Sequence, residues 1–229
     1  MNVDGGVKIL DATTRLLSTL VWPAITGYIL FHYESSIKIF FNAISEIVLK
    51  FPGGEASFKR SQAEATDALV TAVASRPGAR DDPVLTEVNT KAARAAVAAV
   101  SPRVIKKASK VKVLWVDDRP ANNVYEKRSM ESIGISFVTA LTTTDALNIM
   151  QHNTFDLVIS DMGRPPDSRA GYTLLSKMRD SGIETPFVIY AGERTPEFIA
   201  EARELGALGC TNRPDELFEY VVSVIRDRS

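Results

Sequence analysis

The stretch VKVLWVDDRP, residues 111–120, decides the fold. An apolar run whose single charge is Lys112 leads directly into two adjacent carboxylates, Asp117 and Asp118. A short apolar run that stops this abruptly reads as a strand buried on both faces, the kind a parallel sheet uses. Two neighbouring carboxylates repel each other and are costly to keep ionised. Their position at the end of a buried strand therefore needs a reason beyond solubility.

Working outward, four more short runs follow: ISFVTA (135–140), FDLVIS (155–160), PFVIY (186–190) and GCTN (209–212). Helical patterns alternate with them over about 121–133, 143–152, 170–181, 196–206 and 214–227. Thr143 or Thr144 heads the second helix, and Pro196 and Pro214 stand in the first turns of the last two. The alternation predicts an α/β domain over 111–229, a five-stranded parallel sheet in the order 2-1-3-4-5 with helices on both faces. In such a fold the functional crevice lies at the carboxyl ends of the strands. Asp161 follows the third run directly, so three carboxylates converge on one edge, and a hard divalent cation is the natural means of neutralising them. Mg2+ fits best, because it takes one or two carboxylates, keeps waters and leaves a position for a phosphoryl oxygen.

WVDDRP, LVISDMGRP with Pro165 four residues after Asp161, and GALGCTNRPDEL with its Arg213-Pro214 step together resemble the response-regulator receiver domain of the chemotaxis type. The resemblance covers 111–228, about half the chain. It implies that Asp161 is the phosphoacceptor, served by a histidine kinase or a phosphotransfer protein. It further implies direct Mg2+ binding by Asp118 and Asp161, binding by Asp117 through water, and a backbone ligand from the Gly163 carbonyl. Phosphoryl transfer depends on positioning and charge neutralisation, which agrees with these roles. Last helices of this family often dimerise, so a homodimer is also expected.

Three positions depart from the pattern. Ala191 stands where the family has a hydroxyl that contacts the phosphoryl group, and Arg213 replaces the usual lysine with a planar, bidentate group. Cys210 falls at the aromatic switch position. Two readings remain: a phosphorylated receiver with a different readout, in which Arg213, Arg164 or Arg194 holds the phosphate, or a pseudo-receiver that binds a partner without phosphotransfer. Tyr190 is either a replacement switch or a core aromatic. The longer third loop, DMGRPPDSRAGY (161–172), is either a recognition loop or a solvated insertion.

The N-terminal half reads differently. LLSTLVWPAITGYILFHY (16–33) carries no Lys, Arg, Asp or Glu and, as a helix of about 18 residues, reaches about 27 Å. With Trp22, Tyr28 and Tyr33 at interfacial places, it is expected to be a transmembrane helix after a tail at 1–15; a buried or interfacial helix is the competing reading. Residues 34–51 form an amphipathic helix that lies on a membrane, pairs with a second copy or covers the domain. Residues 52–110 read as a helical stalk, two Ala-rich stretches broken by RPGARDDP. Lys38, Lys50, Lys59 and Arg60 after the span favour a single-pass protein of the inner membrane with its α/β domain in the cytoplasm, so that the membrane itself is a partner.

Composition excludes several classes. The net charge is −1, divided as about +4 before residue 111 and about −5 after it, so no basic patch supports nucleic-acid binding. The single Cys210 rules out an internal disulfide and a Cys-rich zinc site. No G-x-S-x-G elbow, glycine-rich nucleotide loop or H-E-x-x-H is present, and Gly163 stands where an aspartyl phosphatase places its second acid. A signalling module, not an enzyme, is therefore expected.

Overall fold

Each apolar run becomes a parallel strand: β1 (Lys112–Val116), β2 (Ser136–Ala140), β3 (Leu157–Ser160), β4 (Phe187–Tyr190) and β5 (Gly209–Thr211). They form one sheet in the order β2-β1-β3-β4-β5, as the alternation predicts. The computed structural model describes residues 54–79, 81–192 and 195–228, together with Tyr28 and His32. Three helices precede the sheet, α1 (Gly54–Ala74), α2 (Pro83–Ala98) and α3 (Pro102–Ala108). Five more alternate with its strands: α4 (Val124–Glu131), α5 (Thr143–His152), α6 (Ala170–Asp180), α7 (Pro196–Glu204) and α8 (Pro214–Asp227).

Successive side chains of a strand point to opposite faces, and this divides the core in two. Val113, Trp115, Leu157, Ile159, Val188 and Tyr190 face one cluster with Met130 and the α8 residues Leu217, Phe218 and Val221. Leu114, Val116, Val158, Phe187 and Ile189 face the other, with Leu174, Leu175 and Met178 of α6. Because both faces are covered, the strands carry apolar residues at every position instead of every second one. Helix starts follow local chemistry. Thr142, one residue earlier than expected, caps α5 by accepting from the Asp145 N–H at 3.0 Å, and Thr195 caps α7 ahead of Pro196. The first helix expected over 121–133 opens as a 3₁₀ turn, Pro120–Asn123, before α4.

The stretch read as a stalk is packed. Ala65, Leu69 and Val73 of α1, Ala93, Ala96 and Val97 of α2, and Val104 and Ala108 of α3 are buried in the same cluster as Trp115 and Phe218. Gln62 of α1 donates to the carbonyls of Val97 and Val100 at 3.4 and 3.0 Å, and Arg226 of α8 donates to that of Ala99 at 3.2 Å. Half of this buried set is alanine, which adds little to a hydrophobic stripe, so the amphipathic pattern looks weak in sequence.

The membrane anchor is not supported. Among the described residues no helix is long and apolar enough to cross a membrane. The span 16–33 lies outside the described residues apart from Tyr28 and His32, and the amphipathic helix of 34–51 lies wholly outside them. A run of about 18 apolar residues is near the minimum for crossing a bilayer. The transmembrane helix, the inner-membrane location and the membrane as a partner are therefore withdrawn.

Candidate functional site

The acidic residues meet where the strand ends bring them. β1 pairs with both β2 and β3, and the ladder continues past the strand ends: the Asp117 N–H donates to the Ala140 carbonyl at 3.0 Å and the Asp161 N–H to the Val116 carbonyl at 2.9 Å. Asp117, Asp118 and Asp161 thereby place one carboxylate oxygen each within 4.8 Å of one another. Asp117 is buried and oriented, accepting from the Arg119 N–H at 2.7 Å and from the Asn123 amide. Arg119 reaches Asp118 Oδ2 at 3.7 Å, yet Asp118 Oδ1 is buried without a hydrogen-bond partner. Burial, with Asp117 beside it, pushes the Asp161 carboxyl up to about 6.

These features fit a hard divalent cation. Oxygen donors are the right chemistry, and one of the cluster's residues, Asp118, carries a buried carboxylate oxygen that such an ion could satisfy. Gly163 lies two residues beyond Asp161, and its own Cβ position would approach the Ser168 carbonyl at 3.3 Å. Gly171 packs tighter still: a Cβ there would stand 3.1 Å from the Asp161 carbonyl oxygen and 3.2 Å from Met162 Cα. Only glycine lets α6 come this close to the backbone that carries Asp161.

Arg164, weighed from sequence as a phosphate-holding group, is used elsewhere. It is 4% exposed, and its guanidinium donates to Ser160 Oγ and the Asp161 carbonyl, both at 2.6 Å, to Thr143 Oγ1 at 3.1 Å and to the Ala170 carbonyl at 3.0 Å. It is a buried brace under the third loop. The loop orders itself further: Arg164 and Asp167 exchange backbone hydrogen bonds, and Asp167 accepts from the Arg169 N–H and from Thr173 Oγ1. Arg194, the other loop cation considered, lies outside the described residues.

Arg213 stands at the start of α8, where Asp215 and Glu216 hold its guanidinium, Glu216 at 3.2 Å. It lines a neighbouring cavity of about 330 Å³ and not the acidic one. Ala191 does line the acidic cavity, of about 390 Å³, beside Asp117 and Asp161. Cys210 is buried in the α6 cluster. Tyr190 is a core residue: it is 4% exposed, donates to Glu126 Oε1 at 2.7 Å, and meets Trp115 edge-on at 6.0 Å. Burial and the neighbouring Glu126 push its hydroxyl far above the ordinary tyrosine range.

Sequence reasoning missed the contribution of the N-terminal helices to this cavity. Ala72, Ser75, Arg76 and Pro77, at the end of α1 and just beyond it, line it alongside Asp161. The only local signal was Arg76 next to a helix-ending Pro-Gly step, which is too common to single out.

Residues 113–221 match the family profile of the response regulator receiver domain. Among curated proteins the chain is similar to the sensor histidine kinase RcsC of Salmonella typhimurium, 31% identical over 102 residues, covering 44% of this chain and 10% of that protein. It is also similar to the probable transcriptional regulatory protein SgaR of Hyphomicrobium methylovorum, 31% identical over 126 residues, covering 53% of this chain and 59% of that one. The chain thus spans a small part of the kinase it matches. Among solved structures, chemotaxis response regulator CheY4 of Vibrio cholerae is 27% identical, with 50% of this chain and 98% of that one covered at a TM-score of 0.44. The sheet order and flanking helices are those of the receiver fold. Receiver domains of this family are signalling modules and not catalytic enzymes.

Proposed function

We propose that residues 111–229 act as the receiver of a phosphorelay, with Asp161 accepting a phosphoryl group from a phosphohistidine. The observation that carries this reading is the convergence of one carboxylate oxygen each from Asp117, Asp118 and Asp161 within 4.8 Å, with Asp118 Oδ1 buried and unpartnered. Mg2+ would be held by Asp117, Asp118, Asp161 and the Gly163 carbonyl, and when bound it offsets the charge between the nucleophile and an anionic phosphoryl group. A carboxylate oxygen of Asp161 attacks phosphorus; the P–N bond of the donor breaks, and its electron pair returns to the imidazole. Asp117 is held in place by Asn123 and the Arg119 N–H. Similarity to sensor histidine kinases supports a histidine kinase, or a phosphotransfer protein, as the donor. Arg213 reaches the phosphoryl group only by leaving Asp215 and Glu216.

The test is intact-mass measurement after incubation with Mg2+ and a small phosphoramidate donor. The expected result is one added phosphoryl group that hydroxylamine removes, lost in Asp161→Asn and on chelation of the metal. Mg2+ binding without phosphoryl uptake, from the small donor or from any histidine kinase, overturns the proposal. That outcome is the one Ala191 and Cys210 favour, a phosphorylation-independent binding module.

A further inference from the structure

Arg76 lies outside the segment matched to the receiver family, two residues beyond the end of α1, yet it lines the cavity that holds Asp161. Its Cζ sits 4.3 Å from the centroid of the Tyr190 ring, and its Nε and Nη2 are buried without a hydrogen-bond partner. Arg76 also interacts with the Tyr190 hydroxyl, but desolvating two guanidinium donors without partners is costly, and contact with the ring offsets only part of that cost. Nε and Nη2 share one edge of the guanidinium plane, the edge that carboxylates and phosphates engage with two parallel hydrogen bonds. An anion would supply both missing partners.

Among the described residues, Arg164 and Arg213 are committed and Arg119 is largely exposed. Arg164 braces the backbone beneath Asp161, Arg213 is held by two carboxylates, and Arg119 is turned outward beside Asp118. Arg76 also lines the second cavity with Asp82, Leu85 and Asn89, at the start of α2. The Asn89 Oδ1 atom in that cavity is likewise buried and unpartnered. Both ends of the α1–α2 hairpin loop thus border a cavity that Arg76 lines.

We propose that Arg76 is the phosphoryl-binding cation of this receiver and that the hairpin formed by α1 and α2 reads out the modification. A phosphoryl group on Asp161 draws the Nε/Nη2 edge away from Tyr190 toward its oxygens, in place of the hydroxyl that Ala191 lacks. The proposal rests on Asp161 being the phosphoacceptor.

The experiment uses the full chain, Mg2+ and beryllofluoride as the phosphoryl mimic, with affinity measured by calorimetry and the hairpin followed by amide hydrogen exchange. Mg2+ affinity close to that of the wild type shows that a variant keeps an intact acidic cluster. Arg76→Met preserves a long side chain over Tyr190 and is expected to weaken beryllofluoride binding about tenfold or more, the loss of charge-assisted hydrogen bonds. Arg76→Lys, which keeps the charge without the fork, falls between. In the wild type beryllofluoride changes exchange over 72–79 and 82–89; in Arg76→Met it does not. Equal affinity in wild type and Arg76→Met, or a hairpin that ignores beryllofluoride bound to the wild type, overturns the inference. Wild type that neither binds beryllofluoride nor takes a phosphoryl group on Asp161 removes the receiver reading itself, and this inference falls with it.

Discussion

At the residue scale the site is a set of charges in conflict. Asp161 lies half-buried beside Asp117, and without a cation its carboxyl is raised to about 6. Its folded value exceeds the ordinary carboxylate value, so the folded protein binds the proton more tightly than the unfolded chain does. Stability is therefore lost as pH rises from about 4 to 6, and the cost stays in place above that window. With its partial exposure discounted, the effect is about 1–2 kcal/mol. Asp161→Asn is expected to flatten this pH dependence and raise the melting temperature of the metal-free protein at pH 7, as read by calorimetric scans from pH 4 to 8. A steeper loss in the variant would mean that Asp161 is not the strained acid. Arg164 shows the opposite arrangement: a buried cation with its hydrogen bonds almost fully made, which gives it a bracing role.

At the scale of elements, the question is what α1 and α2 belong to. Leu69 of α1 is fully buried in the cluster that also holds Trp115, Tyr190 and Phe218. Leu69→Ala is expected to cost about 2–5 kcal/mol. The decisive readout is Trp115 fluorescence in a Trp22→Phe background during urea unfolding, since Trp115 reports the sheet. A hairpin built into the domain moves that midpoint together with the far-ultraviolet signal; a separate stalk leaves it in place. The alternation of apolar runs and helices over 111–229 was legible because β-strands buried on both faces leave runs without gaps and Pro, Thr and Gly punctuate them. The hairpin was not legible, because Ala65, Ala68, Ala72, Ala93 and Ala96 bury little area each and show their purpose only against a partner.

At the scale of the molecule, cation binding and folding are linked, because the acidic cluster exists only when the ends of β1 and β3 lie side by side. Mg2+ at about a hundred times its dissociation constant is expected to stabilise the chain by about 2.7 kcal/mol, and Asp118→Asn to abolish that gain. Thermal melts with and without chelator decide it: an equal gain in Asp118→Asn would place the ion elsewhere. The sheet is packed on both faces, and on one face the packing continues into helices that the family profile does not include.

The sequence by itself determined the strands and the three acidic positions, because local patterning marks the runs and such sheets function at their carboxyl edge. Tertiary structure alone decided which arginine does what. Arg164, Arg213 and Arg76 carry the same charge, but one is enclosed by backbone carbonyls, one by carboxylates of its own helix, and one by an aromatic ring beside the acidic cavity. Tertiary structure also placed α1 and α2 on the sheet domain. Contacts between residues far apart in the chain leave no periodic trace in either partner, so these assignments wait for the packing that creates them.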